Sequence, residues 1–230
     1  MISFQNVTFR YSRRVILKEL SFTAERGQCT VLAGPNGIGK STALALAAGA
    51  LRPNAGSIYR SGRLGYAPQE ATVLPDLNVR DNLKFFAALC HGDIPEEPFL
   101  PLEAAGKKRV GKLSGGMQKR LSLVCAALGE PDILLLDEPC IGLDVAAQEL
   151  LFRQIARWKE QGRCILYAGH NAAELEAVCD RLVLLGNQDA QVLERSQIQD
   201  FSATLSQWIA PPTEQPPTVV STVMSTGRIC

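Results

Sequence analysis

The sequence predicts an α/β fold: a mainly parallel sheet with helices on both faces, and an antiparallel β-subdomain at the N-terminus. Three observations carry this expectation. Strand-like and helix-like stretches alternate from residue 30 to residue 185, the order that builds a parallel sheet from crossover connections. Ile133-Leu134-Leu135-Leu136 is short and wholly apolar, as a parallel strand buried on both faces must be. Ile2-Ser3-Phe4-Gln5-Asn6-Val7-Thr8-Phe9 alternates with period two, the pattern of a half-buried antiparallel strand.

The remaining elements follow in order. A second strand is expected over 15–22, and Glu25-Arg26-Gly27-Gln28 turns the chain into a third over 30–33. An Ala/Leu-rich helical segment, 43–51, is broken by Arg52-Pro53-Asn54-Ala55-Gly56. Strands over 57–60 and 64–67 flank a turn at Gly62, and Leu83, Phe86 and Ala87 give 79–89 a helical spacing. The stretch 91–112 is rich in proline and charge and has no clear period. A helix from about Ser114 places Leu121, Val124, Cys125 and Leu128 on one side and stops at Gly129-Glu130-Pro131. After the apolar strand, a helix over 145–161 carries Leu151, Ile155 and Trp158, with Gly162 as its stop. A strand at 164–167, a helix at 172–179 and a strand at 181–185 complete the alternation. One more strand or hairpin is expected near 191–194 and a short helix near 198–208. Residues 211–230, rich in Pro, Thr and Ser, are expected to be mobile or docked in an extended form.

The chemistry begins at Gly34-Pro35-Asn36-Gly37-Ile38-Gly39-Lys40-Ser41-Thr42, which lies between a strand and a helix. In that context the pattern G-x-x-x-x-G-K-[ST] predicts a nucleoside triphosphate site. Its glycines let successive backbone N–H groups turn inward, and the helix start adds its positive dipole end. Lys40 can reach the outer phosphates and the Ser41 hydroxyl can ligate Mg²⁺. Asp137 follows the apolar strand, at the carboxyl edge where open α/β sheets place ligands. A carboxylate there can hold the Mg²⁺ shell, and Glu138 beside it can act as general base on water.

Composition narrows the classes. The chain has 24 basic and 23 acidic residues, a net charge of +1, so no nucleic acid partner is expected. The run Lys107-Lys108-Arg109 with Lys112 reads as a solvated turn. Seven scattered cysteines, no C-x-x-C spacing and only two histidines exclude a recognisable zinc framework and point to a reducing compartment. No secretory signal is visible, and no apolar run approaches the roughly 20 residues of a membrane-spanning helix.

With these residues in place, the sequence resembles the ATP-binding cassette (ABC) ATPases. Leu113-Ser114-Gly115-Gly116-Met117-Gln118 is similar to the family's signature motif. Gln69 matches its Q-loop glutamine, Gly142-Leu143-Asp144 its D-loop, His170 its switch histidine and Tyr11 its adenine-stacking aromatic residue. The ordered set spans residues 2 to about 186. The resemblance implies a P-loop NTPase of ABC type, residues 1–210, with an inserted helical subdomain at about 79–128. It also implies a dimer in which Ser114, Gly115 and Gly116 of one subunit close over ATP held by the other. Gln69 would then sense Mg²⁺ and water, His170 would bridge Glu138, water and the γ-phosphate, and Asp144 would signal across the dimer.

The implied partners are a second ABC ATPase subunit, expected to be another copy of the chain, and integral membrane permease chains. The implied location is cytoplasmic, on the inner face of the membrane. Met117-Gln118-Lys119-Arg120 resembles ATPases of the type-2 exporter group, which favours export. Cys140 and Ile141, Ala168-Gly169 and Asn171 depart from the family's usual residues, but none removes a catalytic group. The stretch 91–112 is shorter and less helical than the family's. The rival is a soluble, non-transport ABC ATPase with a mechanochemical or assembly role; its usual coiled-coil insertions and fused second cassette are not present in this sequence. A nucleotide-gated module that barely hydrolyses is opposed by Asp137-Glu138, and a P-loop kinase by the signature.

Overall fold

The computed structural model describes residues 1–102, 108–186 and 190–209. The tail expected to be mobile, 211–230, lies outside them, as does Lys107 of the basic run. The elements run β1 (Ile2–Tyr11), β2 (Arg14–Ala24), β3 (Cys29–Ala33), α1 (Lys40–Ala48), β4 (Ala55–Arg60) and β5 (Leu64–Ala67). Then come α2 (Val79–Cys90), α3 (Gly115–Ala127), β6 (Ile133–Asp137), α4 (Val145–Glu160), β7 (Cys164–Ala168), α5 (Ala172–Val178), β8 (Arg181–Leu185), β9 (Ala190–Glu194) and α6 (Phe201–Ile209).

β1, β2 and β4 form an antiparallel sheet in the order β2-β1-β4, so the expected N-terminal subdomain gains β4 as a third strand. The second sheet has the order β5-β6-β7-β3-β8-β9 and is parallel except for its edge strand β9, which pairs antiparallel with β8. The strand or hairpin expected near 191–194 is β9, which pairs back on β8. α2 and α3 leave and rejoin this sheet between β5 and β6. Among the described residues of 91–112 the only regular structure is a single 3₁₀ turn, Val110–Lys112.

The parallel strands alternate strictly between two apolar cores. Val31, Leu134, Leu136, Ile165, Tyr167, Leu182 and Leu184 face one core, which α2 to α6 cover. Leu32, Ile133, Leu135, Leu166, Val183 and Leu185 face the other, closed by α1 and the antiparallel sheet. A buried aliphatic side chain contributes about 1.5–3 kcal/mol, so this two-sided sheet is the main source of stability and the rigid base of the site.

Three helix boundaries differ from expectation by more than a residue, and each has a local cause. α1 starts at Lys40 and not near Ala43, because Gly39 stands in the left-handed region (φ +117°) and the helix begins directly after it. It ends at Ala48 because Gly49 is also left-handed (φ +80°) and its N–H donates back to the carbonyls of Ala45 and Leu46. α6 begins at Phe201, after a separate 3₁₀ turn over Arg195–Gln197.

Candidate functional site

β3, β6 and β7 lie side by side, and their carboxyl ends deliver the phosphate loop, Asp137-Glu138 and His170 to one edge of the sheet. Gly39 has no alternative there: a Cβ at this position would sit 2.9 Å from Ile16 Cγ2 and from Leu17 Cδ2. The start of α1 carries no side-chain cap and no acidic residue, so its free N–H groups stay open to an anion. Lys40 is buried, and its Nζ donates to the carbonyls of Gly34 (2.9 Å) and Pro35 (3.2 Å). Burial holds its ammonium below the usual lysine range, while Glu138 and Asp137 pull it back up. Ile38 closes the loop by donating from its backbone N–H to the Pro35 carbonyl at 3.3 Å.

A cavity of about 420 Å³ opens over this loop. Asn36, Gly37, Gly39, Lys40, Ser41 and Thr42 form its floor, Gln69, Glu138 and His170 one wall, and Tyr11 its rim. His170 Nδ1 lies 2.9 Å and 3.0 Å from the two carboxylate oxygens of Glu138. A carboxylate oxygen accepts, so Nδ1 is the nitrogen that donates in this contact. Glu138 is buried at the base of the wall, and His170 is exposed above it. Tyr11 is 52% exposed, and its ring stands perpendicular to that of Phe9 with centroids 4.9 Å apart.

Asp137 is 2% exposed, and its Oδ1 has no hydrogen-bond partner. Burial raises its carboxyl above the usual range, against the pull of the Ser41 hydroxyl beside it. An orphaned carboxylate oxygen next to a hydroxyl is a hard oxygen pair that fits Mg²⁺, an ion that keeps several waters and takes few protein ligands. No cluster of three or more His, Cys, Asp or Glu that could hold a metal occurs among the described residues.

The signature residues do not join this cavity. Ser114 caps α3, its Oγ accepting from Met117 N–H at 3.3 Å. Gly115 faces open space. Gly116 packs so closely that a Cβ there would lie 2.4 Å from the Gly142 carbonyl. Asp144 caps α4 by accepting from Ala147 N–H at 2.9 Å, and it pairs with Arg120 of α3. The start of α3 and residues 142–144 thus meet on one face, and none of them lines the cavity over the chain's own phosphate loop.

Three features of the site escaped sequence reasoning. Ile16 and Ile141 line the cavity, which no motif or period signals, because tertiary packing brings β2 and the turn after β6 there. Lys119 of α3 is only 4% exposed, and its Nζ donates to the carbonyls of Pro68 (3.0 Å), Gln69 (3.0 Å) and Asp137 (3.3 Å). Burial pushes its ammonium down to about 8, against the charges of Asp137 and Glu138. The departures also find local accounts. Cys140 is buried with its thiol 3.4 Å from the Tyr167 hydroxyl, and Asn171 caps α5 by accepting from Ala173 and Glu174 N–H.

Comparison with known proteins agrees with this arrangement. The family model described as ABC transporter matches residues 17–141. The Nod factor export ATP-binding protein I of Burkholderia lata is 37% identical over 204 residues, covering 80% of this chain and 67% of that protein. The linearmycin resistance ATP-binding protein LnrL of Bacillus subtilis is 29% identical over 205 residues, 80% of this chain and 66% of that one. Among solved structures, an ATP-binding subunit of an ABC transporter superposes with a TM-score of 0.75 at 26% identity, covering 89% of this chain and 99% of that one. A post-hydrolysis dimer of an ATP-binding cassette bound to ADP and Pi shares the fold, with a TM-score of 0.74 at 20% identity over 84% of this chain and 98% of its own.

Proposed function

The chain belongs to the ABC transporter family of ATP-binding proteins, and from that premise we propose that it hydrolyses ATP to drive an exporter, as one of two copies set head to tail. The observation that carries the reading is the Glu138–His170 pair, at 2.9 Å, on the wall of the cavity whose floor is the phosphate loop. The loop N–H groups and the start of α1 hold the phosphates, and Lys40 adds a point charge from below. Ser41 and Asp137, with Gln69 at the cavity wall, would hold Mg²⁺, which when bound supplies positive charge on the outer phosphates. Glu138 takes the proton of the attacking water, and His170 fixes the Glu138 carboxylate through Nδ1 while its Nε2 faces the reacting groups. Tyr11 stacks on adenine.

The reading as a pair of subunits is supported by the signature residues, which do not line the chain's own cavity. Ser114, Gly115 and Gly116 close over the nucleotide of a second copy, with Asp144 beside them. The spanning helices belong to an integral membrane permease, which holds this chain on the cytoplasmic face. Residues 1–210 act as one ATPase domain, with 79–128 as its helical subdomain. Export is supported by the relative named for Nod factor export.

The test is to tag the chain in its native cell, solubilise membranes gently, identify what co-purifies, and assay that material for release of phosphate from MgATP. A polytopic membrane protein in fixed ratio, with turnover, supports the reading. Recovery with soluble partners alone would replace it with a non-transport ABC ATPase.

A further inference from the structure

We propose that Lys119 is a positioning residue for ATP hydrolysis, clamping the backbone at Gln69 to the end of β6 so that Gln69 is held to the geometry of Glu138. The proposal rests on the ATP-hydrolysing reading above. β5 and β6 pair in parallel, with Ala67 opposite Leu136, and the ladder stops there. The next carbonyls along each strand, at Pro68, Gln69 and Asp137, have left the ladder and need donors. Lys119 supplies all three from one ammonium, whose three N–H groups match three acceptors at 3.0, 3.0 and 3.3 Å.

A buried charge is tolerated only when it is hydrogen-bonded, so these contacts are the reason a lysine can sit at this point of α3. Among the described residues no carboxylate pairs with it, and the amine acts on backbone alone. One turn further along α3, Ser122 accepts from Thr72 N–H at 3.3 Å, a second tie between the same helix and the same loop. The loop after β5 is therefore fastened to α3 at Pro68, Gln69 and Thr72. Gln69, held at its own carbonyl, lines the same cavity as Glu138 and His170. The phosphate loop hangs from β3, which Lys119 does not touch. Loss of the amine should therefore reach turnover and spare nucleotide binding.

The experiment is steady-state ATP hydrolysis by the full chain as wild type, Lys119→Met, Gln69→Ala and the double variant. In Lys119→Met, kcat should fall about 10- to 100-fold, the cost of misplacing a reacting geometry by about 1 Å. KM for ATP should stay within about twofold, since ground-state binding is untouched. The double variant should be no slower than the slower single variant, because both remove the same interaction. Unchanged kcat in Lys119→Met, a parallel rise in KM, or losses that multiply in the double variant would overturn the proposal. If Lys119→Met does not fold, Lys119→Gln, one bond shorter and with two donors, carries the same cycle and the same outcomes. A wild-type chain with no turnover would instead overturn the ATPase reading, and this role with it.

Discussion

Glu138 holds its carboxylate in place through an unfavourable backbone conformation. Its φ of +45° is left-handed, a conformation that costs a residue with a Cβ about 1–3 kcal/mol. Its N–H donates to the Ala168 carbonyl at 2.9 Å, its carbonyl accepts from Ile141 N–H at 3.3 Å, and its side chain is tied to His170. The turn thereby lifts the carboxylate off β6 toward the cavity. Replacing Glu138 by Gln keeps this shape and, on the function proposed above, removes the base. Turnover should then fall by about 10²- to 10⁴-fold while ATP binding, read by equilibrium titration, persists; turnover near wild type would remove Glu138 from the base role. The acidic pair was legible in the sequence because it ends an apolar run. The twist at Glu138 was not, and neither was the burial of Lys119, because only the fold reveals the carbonyls that receive it.

At the scale of elements, α3 and the turn before α4 are joined by a contact that admits no side chain. Gly116 meets the Gly142 carbonyl, and the Arg120–Asp144 pair closes the same seam. Adding a methyl group at Gly116 overpacks this seam, so Gly116→Ala should lose about 1–3 kcal/mol, seen as a lower urea midpoint. Gly115, one residue away, faces open space. Gly115→Ala should leave stability equal or higher by up to about 1 kcal/mol, the helix-propensity gain. It should still slow turnover, because the methyl group would meet the second copy's nucleotide; an unimpaired Gly115→Ala chain would count against the paired arrangement. Element identity was largely legible from period and punctuation, as at Ile133 to Leu136 or at Gly162. Element starts were less so: Ala43 looks like the first helical residue of α1, yet the left-handed Gly39 starts the helix at Lys40. The hairpin of β8 and β9 depends on an edge pairing that local sequence does not specify.

For the molecule as a whole, the cysteines give stability a pH dependence. Burial pushes the thiols of Cys125, Cys140 and Cys179 up to about 12. In the unfolded chain such thiols ionise near 8.5. Between about pH 8.5 and 12 the unfolded state therefore releases protons that the folded state keeps, and stability falls as pH rises. With reductant present, the urea midpoint should drop steadily from about pH 8.5 to 10.5, and a flat profile would contradict the assignment. In the same range an alkylating reagent should find Cys90 first among the described cysteines, because it alone is partly exposed. The strict alternation of β6 has another consequence. Its side chains are written in a two-letter frame, Ile133 and Leu135 for one core, Leu134 and Leu136 for the other. A single inserted residue would be a frameshift: both cores would receive each other's side chains, and Asp137 would turn its carboxylate to the wrong side of the sheet.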